Sequence, residues 1–266
     1  MTTRGLARFD RLTLDDLTIE DDRSFRHIAI YPDLKEVLRR DKYSFRVLPE
    51  EGSSWDRALF LNLTFWGANE GGDVLVDAQV PADVVGHVAW HHLAAKAFST
   101  SPSSRPSVEA LFLGEAIASA FDLYLVGRLL GHAPDSSFLT TQVPLMADAA
   151  AEAGLDEDGF AKLLQSVADD PEQAFASLRE LLSDATAALF ACEHAEGALD
   201  LLTRLESHRF GALLHRYELA NWVLYARAYG STEPAPKVQA VERALREAKD
   251  PLQWLTDAWV RPALAG

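Results

Sequence analysis

The chain has 266 residues, of which 48% are hydrophobic and 24% charged, a composition typical of a globular protein with one or two domains. Its formal net charge is −15 at pH 7. An acidic protein repels phosphate groups, so the charge argues against nucleic acid and anionic membranes as partners and favours a basic peptide or protein.

Cysteine content and hydropathy narrow the class of protein further. The single cysteine, Cys192, excludes an internal disulfide and a cysteine-based metal cage. Residues 1–22 carry a charge every few positions and lack the apolar core of a signal peptide, so we expect a cytoplasmic protein. We also expect no membrane span, because no apolar run approaches about 18 residues.

The first 80 residues have the pattern of a mixed α/β region. PDLKEVLRRD (32–41) predicts a short helix, and YSFRVLP (43–49) predicts a strand. RALFLNLTFW (57–66) and VLVDAQV (74–80) are rich in strand-forming residues and are separated by the glycine-rich GANEGG. They predict a hairpin or an adjacent strand pair.

Helical signals dominate the rest of the chain. Pro81 starts a helix that runs to about Phe98, and Ser107 caps a second helix that ends near Gly131. Asp170-Pro171 and Asp250-Pro251 start two later helices in the same way. We therefore expect an α+β protein with an N-terminal α/β part and small sheet (1–134), a helical C-terminal part (135–266), and a cleft between them.

Two of these helices carry residues with the spacing of a metal site. His87 and His91 share one helix face, with Cβ atoms about 5–6 Å apart, whereas His92 is turned away by about 100°. Glu115 on the next helix is a candidate third ligand, with Ser119 and Asp122 following on its face. Two histidines and one carboxylate make a zinc site with one open position.

The two motifs resemble those of gluzincin metallopeptidases, the thermolysin-like zincin group. VVGHVAWHHL (84–93) is similar to their HExxH helix. GEAIASAFD (114–122) resembles their second motif, which begins at the glutamate that binds the metal. The resemblance covers about residues 58–130. It implies zinc on His87, His91 and Glu115. It also implies that the strand-like run before them pairs with substrate. The aromatic pair and the Gly/Asn turn that end this run make Phe65, Trp66, Gly67 and Asn69 candidate peptide contacts, although Phe65 and Trp66 are more typical of core positions.

Two departures from the family pattern change the expected activity. The general-base glutamate is replaced by Val88, and the aspartate that supports the ligands is replaced by Ser119. General acid–base catalysis contributes roughly 10²–10⁴-fold to a rate, so we expect no peptidase activity by the family's route. The lost aspartate leaves open whether the metal is retained.

The motifs of the metal site are present but the general-base glutamate is missing. This combination indicates a catalytically inactive metallopeptidase-like protein that binds a peptide in the former substrate cleft. It is similar to the truncated metallopeptidase-like peptide binders of ribosomal-peptide (RiPP) biosynthesis, of the crocagin type. That resemblance implies a basic precursor or leader peptide as partner, held for a separate modifying enzyme.

Other interpretations stay open at this point. The same triad would suit an active metalloenzyme, either a zinc hydrolase or a non-haem iron oxidative enzyme. The histidines could also be incidental, with Glu115 a buried carboxylate that pairs with a histidine or with Arg128. In that case Asp122 would have a structural role rather than a role at a metal site. No motif assigns a role to three residues of the C-terminal half: His208, His215 and Tyr217.

Overall fold

The computed structural model describes residues 9–48, 74–99 and 105–265. In this part of the chain the protein is mostly helical with a small sheet content, as an α+β class requires. Contacts divide the chain into a unit that ends at Ala89 and a unit that begins at Trp90. This boundary falls inside a helix, whereas the sequence-based division was placed after residue 134; that division stays a prediction.

The first unit contains all of the described strands and two helices. In chain order these elements are β1 (Asp10–Thr13), β2 (Thr18–Glu20), α1 (Asp22–Phe25), α2 (Ile30–Arg40), β3 (Ser44–Val47), β4 (Val74–Leu75) and β5 (Gln79–Pro81). β1 pairs antiparallel with β3, which pairs parallel with β4, and β2 pairs parallel with β5. Helix α2 buries Tyr31, Leu34 and Leu38, which share one face at helical spacing.

The predicted strand at 74–80 is two strands rather than one. Asp77 interrupts it, and its side chain accepts a hydrogen bond of 2.9 Å from the backbone N–H of Gln79. The two short pieces therefore join different sheets. The predicted strand at 57–66, and with it the proposed hairpin, lies outside the described residues.

The second unit is helical among its described residues, and its first helix begins in the first unit. The helices are α3 (Ala82–Phe98), α4 (Val108–Leu130), α5 (Ser137–Glu152), α6 (Glu157–Asp169), α7 (Pro171–Ala191), α8 (Ala195–Leu205), α9 (Leu219–Tyr229), α10 (Pro236–Glu247), α11 (Pro251–Leu255) and α12 (Arg261–Ala265). A 3₁₀ helix spans Gly211–Tyr217, between α8 and α9.

Helix α4 is the central element of this unit and packs against α6 and α7. It begins where the Ser107 hydroxyl accepts the N–H of Ala110 at 3.0 Å, as its sequence predicted. Gly127 permits the approach of α6, because a Cβ there would lie 2.5 Å from the Val167 carbonyl oxygen. Contrary to the expectation above, α4 is long and apolar enough to span a membrane. However, 89% of its most apolar window is buried inside the protein, which is the pattern of a core helix.

Candidate metal centre

The candidate site is built on α3 and α4, two apolar helices whose packing fixes the second histidine against the glutamate. The side chain of Trp90 is fully buried, and its ring contacts the Phe121 ring edge-on with 5.6 Å between centroids. Aromatic pairs in this geometry stabilise a contact by about 0.5–1.5 kcal/mol beyond their burial. The same two helices bring the His91 imidazole to the Glu115 carboxylate.

His87, His91 and Glu115 form a group that could hold a metal ion. One ligand atom from each residue lies within 4.8 Å of the other two. The closest pair is His91 Nε2 and Glu115 Oε2, 3.0 Å apart. Glu115 is buried, with 4% of its side chain exposed, whereas His91 is 37% exposed. The group is therefore supported from the core and reachable from solvent.

Ser119 supports the carboxylate of this group from one turn further along α4. Its hydroxyl donates a hydrogen bond of 3.3 Å to Glu115 Oε1, and both residues are buried. The bond holds one carboxylate oxygen, while the other oxygen is the one nearest His91. Ser119 thus contacts a candidate ligand, and a supporting role for it in metal binding stays a prediction.

The residues are of types that bind metal ions, and their ligand atoms lie close together. Imidazole nitrogens and carboxylate oxygens are ordinary zinc ligands at about 2.0–2.2 Å, which puts two ligands of a tetrahedral site about 3.3 Å apart. The three ligand atoms here lie within 4.8 Å of one another. The partial exposure of His91 leaves a side from which a fourth ligand can approach.

Val88 does not contribute a catalytic group to this centre. Its side chain is 2% exposed and is part of the apolar core. Among the described residues, the metal-ligand group contains one carboxylate, and that carboxylate is a candidate ligand. The proton transfer that a metallopeptidase assigns to a glutamate after its first histidine therefore has no counterpart at position 88.

Asp122 lies two turns after Glu115 on α4, and its role as a support for the ligands stays a prediction. It lines a small cavity of about 10 Å³ together with Gln142, Arg216 and Tyr217. Burial raises the pKa of the Tyr217 hydroxyl, and the negative charge of Asp122 adds to that rise. Sequence reasoning missed this cluster, because Gln142 and Arg216, which hydrogen-bond to each other, are 74 residues apart and belong to no motif.

The other candidate residues lie elsewhere in the part of the chain that the structure describes. Nδ1 of His208 accepts a hydrogen bond of 3.1 Å from the backbone N–H of Phe210. The neutral ring therefore carries its proton on Nε2, which lies 3.4 Å from the Ser177 hydroxyl. His215 is exposed on the 3₁₀ helix. Arg128 lies 3.8 Å from Glu172 rather than beside Glu115. The proposed peptide contacts, Phe65, Trp66, Gly67 and Asn69, fall outside the described residues.

Comparison with known proteins returns no match for this chain. No protein-family model matches it, and neither a curated protein nor a solved structure does. The likeness to the metallopeptidases therefore rests on the motif residues alone.

Proposed function

We propose that this protein holds one metal ion, zinc in the first place, on His87, His91 and Glu115, and binds a basic peptide at this centre without cleaving it. The observation that carries the proposal is the convergence of the three ligand atoms within 4.8 Å. Two imidazoles and one carboxylate are the ligand set of zinc sites that keep an open coordination position.

The open position and the charge of the chain support a peptide as the bound molecule. A metal ion with three protein ligands can accept a peptide carbonyl or a terminal carboxylate as its fourth ligand. The net charge of −15 attracts a lysine- and arginine-rich partner and speeds its association. A ribosomal precursor peptide with a basic leader, presented to a separate modifying enzyme, would have this chemistry.

Binding without cleavage follows from the residue after the first histidine. Val88 is buried and has no group that can take a proton from a metal-bound water. The metal would then serve to anchor and orient a carbonyl or carboxylate of the peptide. A zincin-like history of the fold would explain why a metal-ligand set persists beside a valine.

A second candidate function is favoured by the same ligand set. Two histidines and one carboxylate also form the facial triad of non-haem iron enzymes, which keep open positions for substrate and oxygen. The identity of the metal separates the two, because the iron proposal requires the protein to be purified with iron rather than zinc.

The peptide proposal is tested by titration calorimetry on the zinc-loaded protein and on the same protein after chelation. A lysine- and arginine-rich peptide is expected to bind the zinc form saturably and to be recovered intact by mass spectrometry. An acidic peptide of equal length is the control and is expected not to bind. Absence of saturable binding would contradict the peptide part of the proposal, and cleavage products would contradict the inactive part.

A further inference from the structure

A second candidate binding site lies in the helical unit, on residues that the metal centre does not use. A half-open cavity of about 470 Å³ is lined by the end of α7, helix α8, the 3₁₀ helix and helix α9. This volume falls in the range of about 300–1,000 Å³ that is typical of small-molecule sites. The cavity therefore has room for one small organic molecule.

Aliphatic side chains make up most of the cavity wall. Leu189, Leu202, Leu214 and Val223 are among the lining residues. Leu224 also lines the cavity and is 62% exposed, although exposing so large an apolar side chain brings no folding gain. Helix α8 is amphipathic, yet it buries none of its residues. An apolar ligand would cover this partly solvated wall.

The cavity wall is held in place by specific backbone contacts. Gly211 lets the 3₁₀ helix approach the end of α8, since a Cβ there would lie 2.5 Å from the Leu205 carbonyl oxygen. Arg227 of α9 donates hydrogen bonds to the carbonyl oxygens of Phe190 and Cys192, at 3.0 and 2.8 Å. These contacts tie α9 to the end of α7, so the cavity is a formed feature of the unit.

The charges at the cavity select the kind of polar group that a ligand would carry. Glu193, Glu206 and Glu218 line the cavity, and all three are exposed. The guanidinium of Arg227 also lines it, but this group is hydrogen-bonded to the two carbonyl oxygens at the end of α7. His194 and His215 line the cavity too, and with both neutral the three carboxylates outnumber the one engaged guanidinium, which favours a cationic head group.

We propose that this cavity binds a small amphiphilic amine, with its aliphatic body against the leucine wall and its ammonium group beside Glu206 and Glu218. The inference goes beyond the peptide function and does not depend on it, because it involves neither the metal ligands nor helix α3. A ligand of this kind would match both properties of the cavity at once, its apolar wall and its negative charge.

Octylamine, octanol and octanoate test the proposal, because they share one alkyl chain and differ in the charge of the head group. Titration calorimetry is expected to give saturable binding of octylamine, with octanol about tenfold weaker, the effect of about one charge contact, and octanoate weaker still. Cys192, the one cysteine of the chain, lines the cavity and reports the location. Octylamine is expected to slow its alkylation by iodoacetamide, measured by intact mass.

Matched variants separate specific binding from adsorption of an amine to an acidic protein. Ala198→Trp fills the cavity and is expected to abolish octylamine binding, whereas Thr203→Trp, at an exposed position of α8 outside the cavity, retains it. Glu206→Gln is expected to weaken octylamine severalfold and leave octanol unchanged. Equal affinities for octylamine and octanoate, unprotected Cys192, or full binding by Ala198→Trp would each overturn the proposal.

Discussion

The Nε2 atom of His91 lies 3.0 Å from Oε2 of Glu115, so an imidazole on α3 meets a buried carboxylate on α4. A carboxylate that is 4% exposed requires a partner, because an isolated buried charge costs several kcal/mol. His91 is the residue whose side chain lies at ion-pair distance from this carboxylate. A bound metal ion would replace this contact with two coordinate bonds and bring in His87 as well. His91 and Glu115 therefore form a structural contact and are also two of the three proposed metal ligands.

The hydrogen bond from Ser119 to Glu115 predicts a measurable contribution to metal affinity. Ser119→Ala removes the donor to Oε1 and lets the carboxylate rotate. Loss of such a supporting contact typically weakens metal binding by about 10–100-fold, and we expect the lower end for a neutral donor. Zinc competition with a chromophoric chelator measures the change. Ser177→Ala, on α7, is the control, and an unchanged affinity in Ser119→Ala would show that the bond has no such role.

Introducing at position 88 the glutamate of the metallopeptidase motif is expected to destabilise the protein without creating a peptidase. Val88 is 2% exposed, so Val88→Glu would bury a carboxylate in an apolar core at a cost of about 3 kcal/mol or more. Urea unfolding measures the loss, and a quenched fluorescent peptide measures hydrolysis. Val84→Glu, at a half-buried position of the same helix, is expected to cost less. A stable Val88→Glu protein that cleaves peptides would contradict this account.

The buried arginine of α7 makes an independent prediction about the stability of the helical unit. Arg179 is 1% exposed, and its Nη1 lies 2.6 Å from Glu242 of α10. Burial lowers the pKa of Arg179, while the charge of Glu242 opposes that effect. Glu242→Gln leaves the buried Arg179 without its anion, removes a second contact of 2.6 Å with the more exposed Arg246, and is expected to cost about 3 kcal/mol in chemical denaturation.

A neighbouring ion pair provides the control for the buried one. Asp184 lies 2.6 Å from Arg246, and the two side chains are 56% and 34% exposed. Asp184→Asn is therefore expected to cost less than about 1 kcal/mol, because an exposed pair is solvated in any case. Equal losses in Asp184→Asn and Glu242→Gln would show that burial does not distinguish the two pairs.

His208 predicts how stability depends on pH. Burial, and after it the positive charge of Arg209, lowers the pKa of His208. Because the pKa of His208 is lower in the folded protein, the unfolded protein binds the proton more tightly, and protonation favours unfolding. The stability linked to His208 is therefore present above the unfolded pKa of about 6.5 and is lost as pH falls below it.

The measurement is urea unfolding of the chelator-treated protein at pH 7.5 and 5.5. Wild type is expected to lose more stability over this interval than His208→Asn, whose side chain does not titrate. His215→Asn removes an exposed histidine of the same region and is expected to follow wild type. If His208→Asn and wild type lose the same amount, the pH dependence comes from other groups.

Local signals in the sequence were sufficient for the helix starts. Ser107, Asp170 and Asp250 were read as caps, and each side chain accepts the N–H three residues later. The grouping of His87 and His91 followed from helix geometry in the same way. Such signals involve atoms within one turn, so a sequence shows them directly.

Features that depend on distant residues could not be predicted. The parallel pairing of Thr18–Glu20 with Gln79–Pro81 joins segments about 60 residues apart and has no turn signal. The sequence did not decide whether Glu115 pairs with a histidine or with Arg128. In the structure α3 packs on α4, and Glu115 lies next to His91. The cavity at Cys192 was missed, because its walls come from four elements and its aliphatic residues look like ordinary core positions.

The metal content of matched histidine variants tests the central claim most directly. Wild type and His92→Ala, purified without added metal and then exposed to equimolar zinc, are expected to retain one zinc per chain after gel filtration, measured by elemental analysis. His91→Ala is expected to retain no zinc, because it removes one of the three ligands. His92→Ala changes the neighbouring histidine, which is not a ligand, and therefore serves as the control. Equal zinc in His91→Ala and wild type, or no zinc in wild type, would contradict a metal centre at His87, His91 and Glu115.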